Sequence, residues 1–169
     1  GGNPWLDRWR HASVALEANE NMNSLLAVSA KKKKILVSMQ PLAKPLPDFV
    51  ISAIANCPKD WTWWLRLHPL RRHTADQLKQ LLSEKGIHNV EIDDPTNLPL
   101  FSLLRSCDHH VTAFSSVAVE ALAFGIRTTI VNKIGLKVFQ RYIDQGLMNS
   151  ADTPDTLISA TLQSIESPP

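Results

Sequence analysis

The chain has 169 residues, 44% of them hydrophobic and 20% charged, with a formal net charge of +2. That is the composition of an ordinary globular domain with a real core, and the charge is too small to argue for nucleic acid on electrostatic grounds. Two cysteines, Cys57 and Cys107, make neither a disulfide framework nor a zinc site. The expected setting is reducing and cytoplasmic, because no apolar run reaches the length of about 18 residues a membrane span needs and no signal-peptide pattern opens the chain.

The chain opens on GGNPWLDRW without Met, and the expectation is of a domain cut from a longer protein. Residues 1–30 read as a turn followed by a helical lead-in, with Trp5, Trp9, Ala12 and Leu16 loosely periodic. Residues 31–169 read as the domain proper. ILVSM at 35–39 is a short apolar run suited to a buried parallel strand. A Pro-rich loop follows, then a helix over 48–57 with Asp48 as its N-cap. TWWLRLH at 62–68 is a second strand, stopped by Pro69. Residues 74–86 are an amphipathic helix capped by Thr74, striped by Leu78, Leu81 and Leu82, and ended by Gly86. Strands at 89–93, 109–114 and 127–132 alternate with helices at 98–107, after Ser116, near 135–145 and at 153–165, the last capped within Thr153-Pro154-Asp155.

Strands alternating with helices at this spacing make βαβ units. The fold class is therefore α/β: a Rossmann-like, doubly wound parallel sheet of five or six strands with helices on both faces. Such sheets bind ligands beyond the carboxyl ends of their strands. Those ends carry Gln40, His68, Asp93 with Asp94, Phe114 with Ser115 and Ser116, and Asn132 with Lys133.

Two hydroxyls at a helix start, where backbone N–H groups are unpaired, suit a phosphate. Ser116 and Glu120 are four apart and share a helix face, about 6 Å apart along the axis. That spacing suits a nucleotide whose phosphate meets the serines and whose ribose hydroxyls meet the carboxylate. Ser115 as a plain N-cap explains one serine, but a capping box wants its acid three residues on, and an unpaired carboxylate among Val117, Ala118, Val119, Ala121 and Leu122 is costly. Glu120 must therefore have a partner, face solvent or face a ligand. Neither a dinucleotide fingerprint nor a P-loop is present.

LRLHPLRRH places His68 at a strand end, fixed by Pro69, with Arg66, Arg71 and Arg72 close in sequence. An imidazole there can stabilise a phosphate leaving group or simply satisfy backbone groups. His68-Pro69, followed 45-odd residues later by Ser115-Ser116, resembles the HP and S-S/T motifs of bacterial sialyltransferases of the GT-B fold. The longer pattern LVSMQ, LRLHP and CDHHVTAFSSVAVEALAFGIRTTIV is similar to the C-terminal half of capsule-polysaccharide transferases and CDP-glycerol transferases, and GNPWLD resembles the segment that starts that half.

The resemblance implies the donor-nucleotide half of a GT-B glycosyltransferase for capsule or other surface polysaccharide. His68 and Pro69 would contact the nucleotide, with His68 catalytic in assisting phosphate departure. Ser115 and Ser116 would bind phosphate and Glu120 would bind ribose. Gln40, by its position, would line the pocket. The donor would be a CMP-, CDP- or UDP-linked sugar, a substrate rather than a cofactor, and no metal is expected. The acceptor would be a saccharide or a lipid-linked saccharide. The catalytic base would belong to an N-terminal half absent from this chain, so that the chain alone would not turn over. Two alternatives stay open: a nucleotide-sugar epimerase half of the same architecture, and a non-catalytic α/β binding module.

Remaining features read as structural. His109 and His110 point to opposite faces of a strand at its start, away from the binding end. The Lys31–Lys34 run reads as a solvated edge, with contact to anionic lipid at the inner membrane as the alternative. Trp61, Trp63 and Trp64 read as core, Asp93-Asp94-Pro95 as a loop, and the two cysteines as helix-end core thiols.

Overall fold

The computed structural model describes residues 20–44 and 46–166; the N-terminal turn and the lead-in before residue 20 lie outside them. The elements run α1 (Glu20–Val28), β1 (Lys33–Ser38), α2 (Asp48–Asn56), β2 (Trp61–Arg66), a 3-10 helix (Pro69–Thr74), α3 (Ala75–Glu84), β3 (Val90–Glu91), α4 (Asp93–Asn97), α5 (Leu100–Ser106), β4 (His109–Thr112), α6 (Val117–Ala123), β5 (Thr128–Ile130), α7 (Lys133–Asp144), β6 (Met148–Ser150) and α8 (Pro154–Glu166).

All described strand pairs are parallel, and the sheet order is β3-β2-β1-β4-β5-β6. The doubly wound sheet expected from the sequence is thus present with six strands. The strands are short apolar runs because both faces are covered. Alternation sends Ile35, Val37, Trp63, Leu65 and Val111 into one cluster with Val50 and Ile54 of α2, Leu82 of α3 and Leu157 of α8. It sends Leu36 and Trp64 to the other face, against Leu25 of α1, Leu103 and Leu104 of α5 and Ala121 of α6. A third cluster, Ala118, Ile130, Phe139 and Met148, joins α6 and α7 to the far strands.

The three tryptophans of β2 are core: Trp61, Trp63 and Trp64 are all buried, with Trp63 Nε1 donating to Cys57 Sγ and Trp64 Nε1 to Ser29 Oγ. Both cysteines are free thiols, and burial pushes the Cys107 thiol up to about 12. Lys34 pairs with Asp108 at 3.1 Å, while Lys31 and Lys33 are exposed.

Several local expectations change. Asp48 is the first residue of α2 rather than its cap; its carboxylate pairs with Lys44, and Val50 N and Ile51 N donate to the Pro47 carbonyl. Thr74 does not cap α3, because the 3-10 helix runs straight into it and the Thr74 hydroxyl donates to Arg71 O. Leu81 lies at the edge of its stripe, 38% exposed, while Leu78 and Leu82 are buried. Asp93-Asp94-Pro95 opens a short helix instead of a loop: Pro is tolerated in a first turn, and two carboxylates favour a helix start. Thr153 does cap α8, its hydroxyl accepting from Thr156 N at 3.2 Å. β6 follows Gly146 in a stretch with no strong strand signal.

His109 and His110 open β4, both fully buried and on opposite faces. His110 is held between Thr128 Oγ1 and Ser38 Oγ, each at 2.9 Å. His109 Nε2 meets Thr129 Oγ1 at 2.9 Å, and its Nδ1 has no partner. Burial drives both imidazoles down to about 3, with neighbouring positive charge adding to the effect at His109.

A histidine depressed in this way adds stability above its unfolded value near 6.5, and that stability is lost as pH falls towards the folded value. Unfolding at about pH 5 should therefore take up about two protons, and the domain should lose at most about 2 kcal/mol per histidine relative to pH 7. Urea denaturation across this range checks it; a flat stability between the two pH values contradicts the buried neutral pair.

Candidate functional site at the sheet crest

Strands β1 and β4 are neighbours, but the chain leaves them for opposite faces: α2 packs in the first cluster and α6 in the second. Loops diverging from adjacent parallel strands open a crevice, the ordinary ligand position in this architecture. Register levels the crest. Ser38 pairs with Arg66 and with Thr112, and Ile130 with Thr112. Carried two residues past the paired positions, the same register would set Gln40 between His68 and Phe114, with Asn132 beyond. At about 4.8 Å per strand, this row is compact.

His68 caps the 3-10 helix. Its Nδ1 accepts from Leu70 N at 3.3 Å, and Arg71 N bonds its carbonyl at 2.8 Å. With Nδ1 as the acceptor, Nε2 carries the proton and is a donor directed away from the backbone. Pro69, at the first position of that helix, fixes the turn. The neighbouring arginines are otherwise engaged. Arg66 is half-buried and its Nη1 donates to Pro95 O and Leu98 O, at 2.5 and 2.7 Å, tying α4 and α5 to β2. Arg71 and Arg72 reach Leu42 O and Thr96 O, each at 3.4 Å.

The two serines divide their tasks. Ser115 Oγ accepts from Val117 N at 3.3 Å, and the Ser115 carbonyl takes Ala118 N. The first turn of α6 is therefore largely satisfied from within, and the bland capping role is real for Ser115, whose hydroxyl keeps a proton to donate. Ser116 is exposed and its side chain makes no capping bond. Its carbonyl accepts from Val119 N and Glu120 N, which puts Ser116 and Glu120 on consecutive turns of one face. Gly125 ends α6 with φ 71°, a left-handed conformation that suits glycine.

Glu120 is half-buried and has no hydrogen bond or ion pair among the described residues. Burial alone raises its carboxyl above the ordinary range. Such a group is uncomfortable in the free domain and wants a donor. Gln40 is half-buried at the end of β1, with a side chain that makes no hydrogen bond among the described residues.

Thr112 is the residue that sequence reasoning passed over. Its hydroxyl donates to Ser38 O at 2.7 Å and accepts from Ser115 N at 3.4 Å, joining β1, β4 and the serine loop. Only its place next to the serines hints at this. Beside the crest, a cavity of about 230 Å³ lies between the β1–α2 loop and α3, lined by Leu42, Arg71, Gln77 and Leu81 among others. Among the described residues no cluster of three or more His, Cys, Asp or Glu is arranged to hold a metal ion, and no helix is long and apolar enough to cross a membrane.

Solved structures share this fold. UDP-GlcNAc 2-epimerase from Neisseria meningitidis, bound to UDP-GlcNAc, superposes with a TM-score of 0.72 at 16% identity over 98% of this chain. HepE from Anabaena, in complex with UDP and glucose, gives 0.64 at 17% identity over 89%. The kitacinnamycin glycosyltransferase gives 0.60 at 23% identity over 82%. The fold is that of a Rossmann-like GT-B half domain. The chain spans 45%, 44% and 36% of these three proteins. No family model and no curated protein matches the sequence.

The raised carboxyl of Glu120 gives a signed prediction for the free domain. Stability is greatest below the ordinary Glu value and falls as pH rises through the folded value. Glu120→Gln removes this penalty, so the variant should equal or exceed the parent at neutral pH, with a gap that closes towards pH 4. Paired denaturation curves check it; a parent more stable than Glu120→Gln at neutral pH would mean that the carboxylate has a stabilising partner.

Proposed function

We propose that this chain is the donor-binding half of a GT-B glycosyltransferase acting on capsule or another surface polysaccharide, with the site at the crest of β1, β2 and β4. The observation that carries the reading is Glu120: an unpaired, half-buried carboxylate one turn beyond the free Ser116, beside the crevice where this fold takes ligands. A nucleoside diphosphate sugar supplies what the crest lacks. Its phosphates accept from the Ser115 and Ser116 hydroxyls and from His68 Nε2–H, and its ribose hydroxyls donate to Glu120. Pro69 and Gln40 flank the nucleotide.

In transfer, the bond between the anomeric carbon and the diphosphate oxygen breaks as the acceptor hydroxyl bonds that carbon. The acceptor's proton goes to a base contributed from outside this half, and the negative charge gathers on the departing diphosphate. His68 Nε2–H and the serine hydroxyls are placed to stabilise that charge. The acceptor is a saccharide, free or lipid-linked, met on the cytoplasmic side of the membrane. An epimerase is the second reading. It is favoured by the high overlap with a UDP-GlcNAc 2-epimerase over 98% of the chain, and it uses the same diphosphate site with proton transfer at the sugar.

Titration with CMP, CDP, UDP and GDP, followed by amide shifts, tests the site. One nucleotide should move His68, Ser115, Ser116 and Glu120, and His68→Ala or Glu120→Ala should each weaken it by about tenfold or more. Shifts confined to other regions, or affinities unmoved by both variants, overturn the reading. In a protein carrying both halves, products separate the two chemistries: transfer frees the nucleoside diphosphate, while epimerisation leaves the sugar attached with one centre inverted.

A further inference from the structure

Gly135 is buried in the first turn of α7, while Ile134 and Val138 of the same helix are exposed. A Cβ on Gly135 would overlap the Ala113 carbonyl oxygen and stand 2.6 Å from Ile130 Cγ2. Helix α7 therefore rests directly on the backbone between β4 and the serine pair. Ala113 is one residue beyond Thr112, whose hydroxyl bridges Ser38 O and Ser115 N from below. Below, Ser38 is also tied to the buried His110. The loop from Ala113 to Ser116 is thus held by α7 on one side and by the β1–β4 pair on the other. α7 is in turn fixed at its start, where Asn132 Oδ1 accepts from Ile134 N at 2.8 Å.

We propose that Gly135 and Thr112 are positioning residues of the donor site: together they clamp the loop carrying Ser115 and Ser116, and so set where the diphosphate is held. This rests on the reading of the crest as a nucleotide site. Neither residue need touch the ligand. Gly135 acts by the absence of a side chain, which lets a helix approach a carbonyl more closely than any other residue allows. Thr112 acts by pairing two backbone groups from different segments.

The test uses UDP as the probe, with amide shifts read in free and bound protein. Gly135→Ala should shift the Ser115 and Ser116 amides in the free protein and weaken UDP by about tenfold or more. Leu82→Ala, a buried change in the last turn of α3 at the other end of the sheet, controls for general destabilisation and should leave affinity within about twofold. Thr112→Val should move the same amides and weaken UDP, while Thr112→Ser, which keeps the hydroxyl, should restore both. If Gly135→Ala does not fold, the valine and serine pair decides alone. UDP binding that is unchanged in Thr112→Val, or reduced as much by Leu82→Ala as by Gly135→Ala, overturns the clamp and leaves the nucleotide site standing. Failure of the parent chain to bind any of UDP, CDP, CMP or GDP removes the site and the clamp together.

Discussion

Strands β1 and β4 pair from Ile35 and His109 to Ser38 and Thr112, and everything at the crest depends on that pairing. The three strands β1, β2 and β3 are laid down outward on one side, and the chain must then return across the sheet through α4 and α5 to place β4 against β1. The return reverses the winding. It sends α2 and α6 to opposite faces of the sheet. Side chains on a continuous one-way sheet would have been roofed by the next crossover helix.

That central pairing is also where the molecule puts polar groups into its interior. His110, Thr128, Ser38 and Thr112 form a buried hydrogen-bonded series on one face, and His109 with Thr129 adds a pair on the other. An all-aliphatic pair of strands would bury as well and cost less in desolvation. A hydroxyl at Thr112, however, reaches backbone groups of two segments at once, which an aliphatic side chain cannot do. The satisfied part of the network gives register and loop position. The unpartnered Nδ1 of His109 and Nε of Arg127 show that this arrangement is not simply optimised for stability.

Much of this was legible in the chain. Short β-branched runs separated by amphipathic helices give the layer order, and the tryptophan strand announces a two-sided core. His68, Ser115, Ser116 and Glu120 stand out by their place at strand ends and a helix start, although His68 and Ser115 also serve as caps. What stayed hidden is tertiary. Asp48 and Thr74 look like caps, but Asp48 falls inside α2 and pairs with Lys44, and a 3-10 turn runs straight into α3 at Thr74. Arg66 lies close to His68 in sequence, but its guanidinium is claimed by the Pro95 and Leu98 carbonyls. Gly135 sits inside a helical pattern, where sequence marks it only as a weak helix former; its reason is a carbonyl 22 positions away along the chain. β6 is three residues long with a polar centre, Met148-Asn149-Ser150, and its strand state comes from pairing with β5 rather than from propensity.

The chemistry available at the crest is one-sided. Its groups are hydrogen-bond donors, His68 Nε2–H and two serine hydroxyls, together with a single carboxylate. Donors hold a diphosphate and stabilise its departure, but an acceptor hydroxyl also needs a base. Glu120 is a poor candidate, since on the proposed reading its oxygens are occupied by ribose. Asp93 and Asp94 follow β3 at the sheet's edge, two strands from Gln40, and Asp93 is already paired with Lys79 at 2.7 Å. A wall that binds the leaving group and withholds the base suits a reaction cleft whose opposite wall brings the acceptor and its proton sink. Such a division keeps the bound donor from attack by water until both walls are in place. On the proposed reading, the free Ser116 hydroxyl and the unpaired Glu120 carboxylate are the groups that a nucleotide would satisfy.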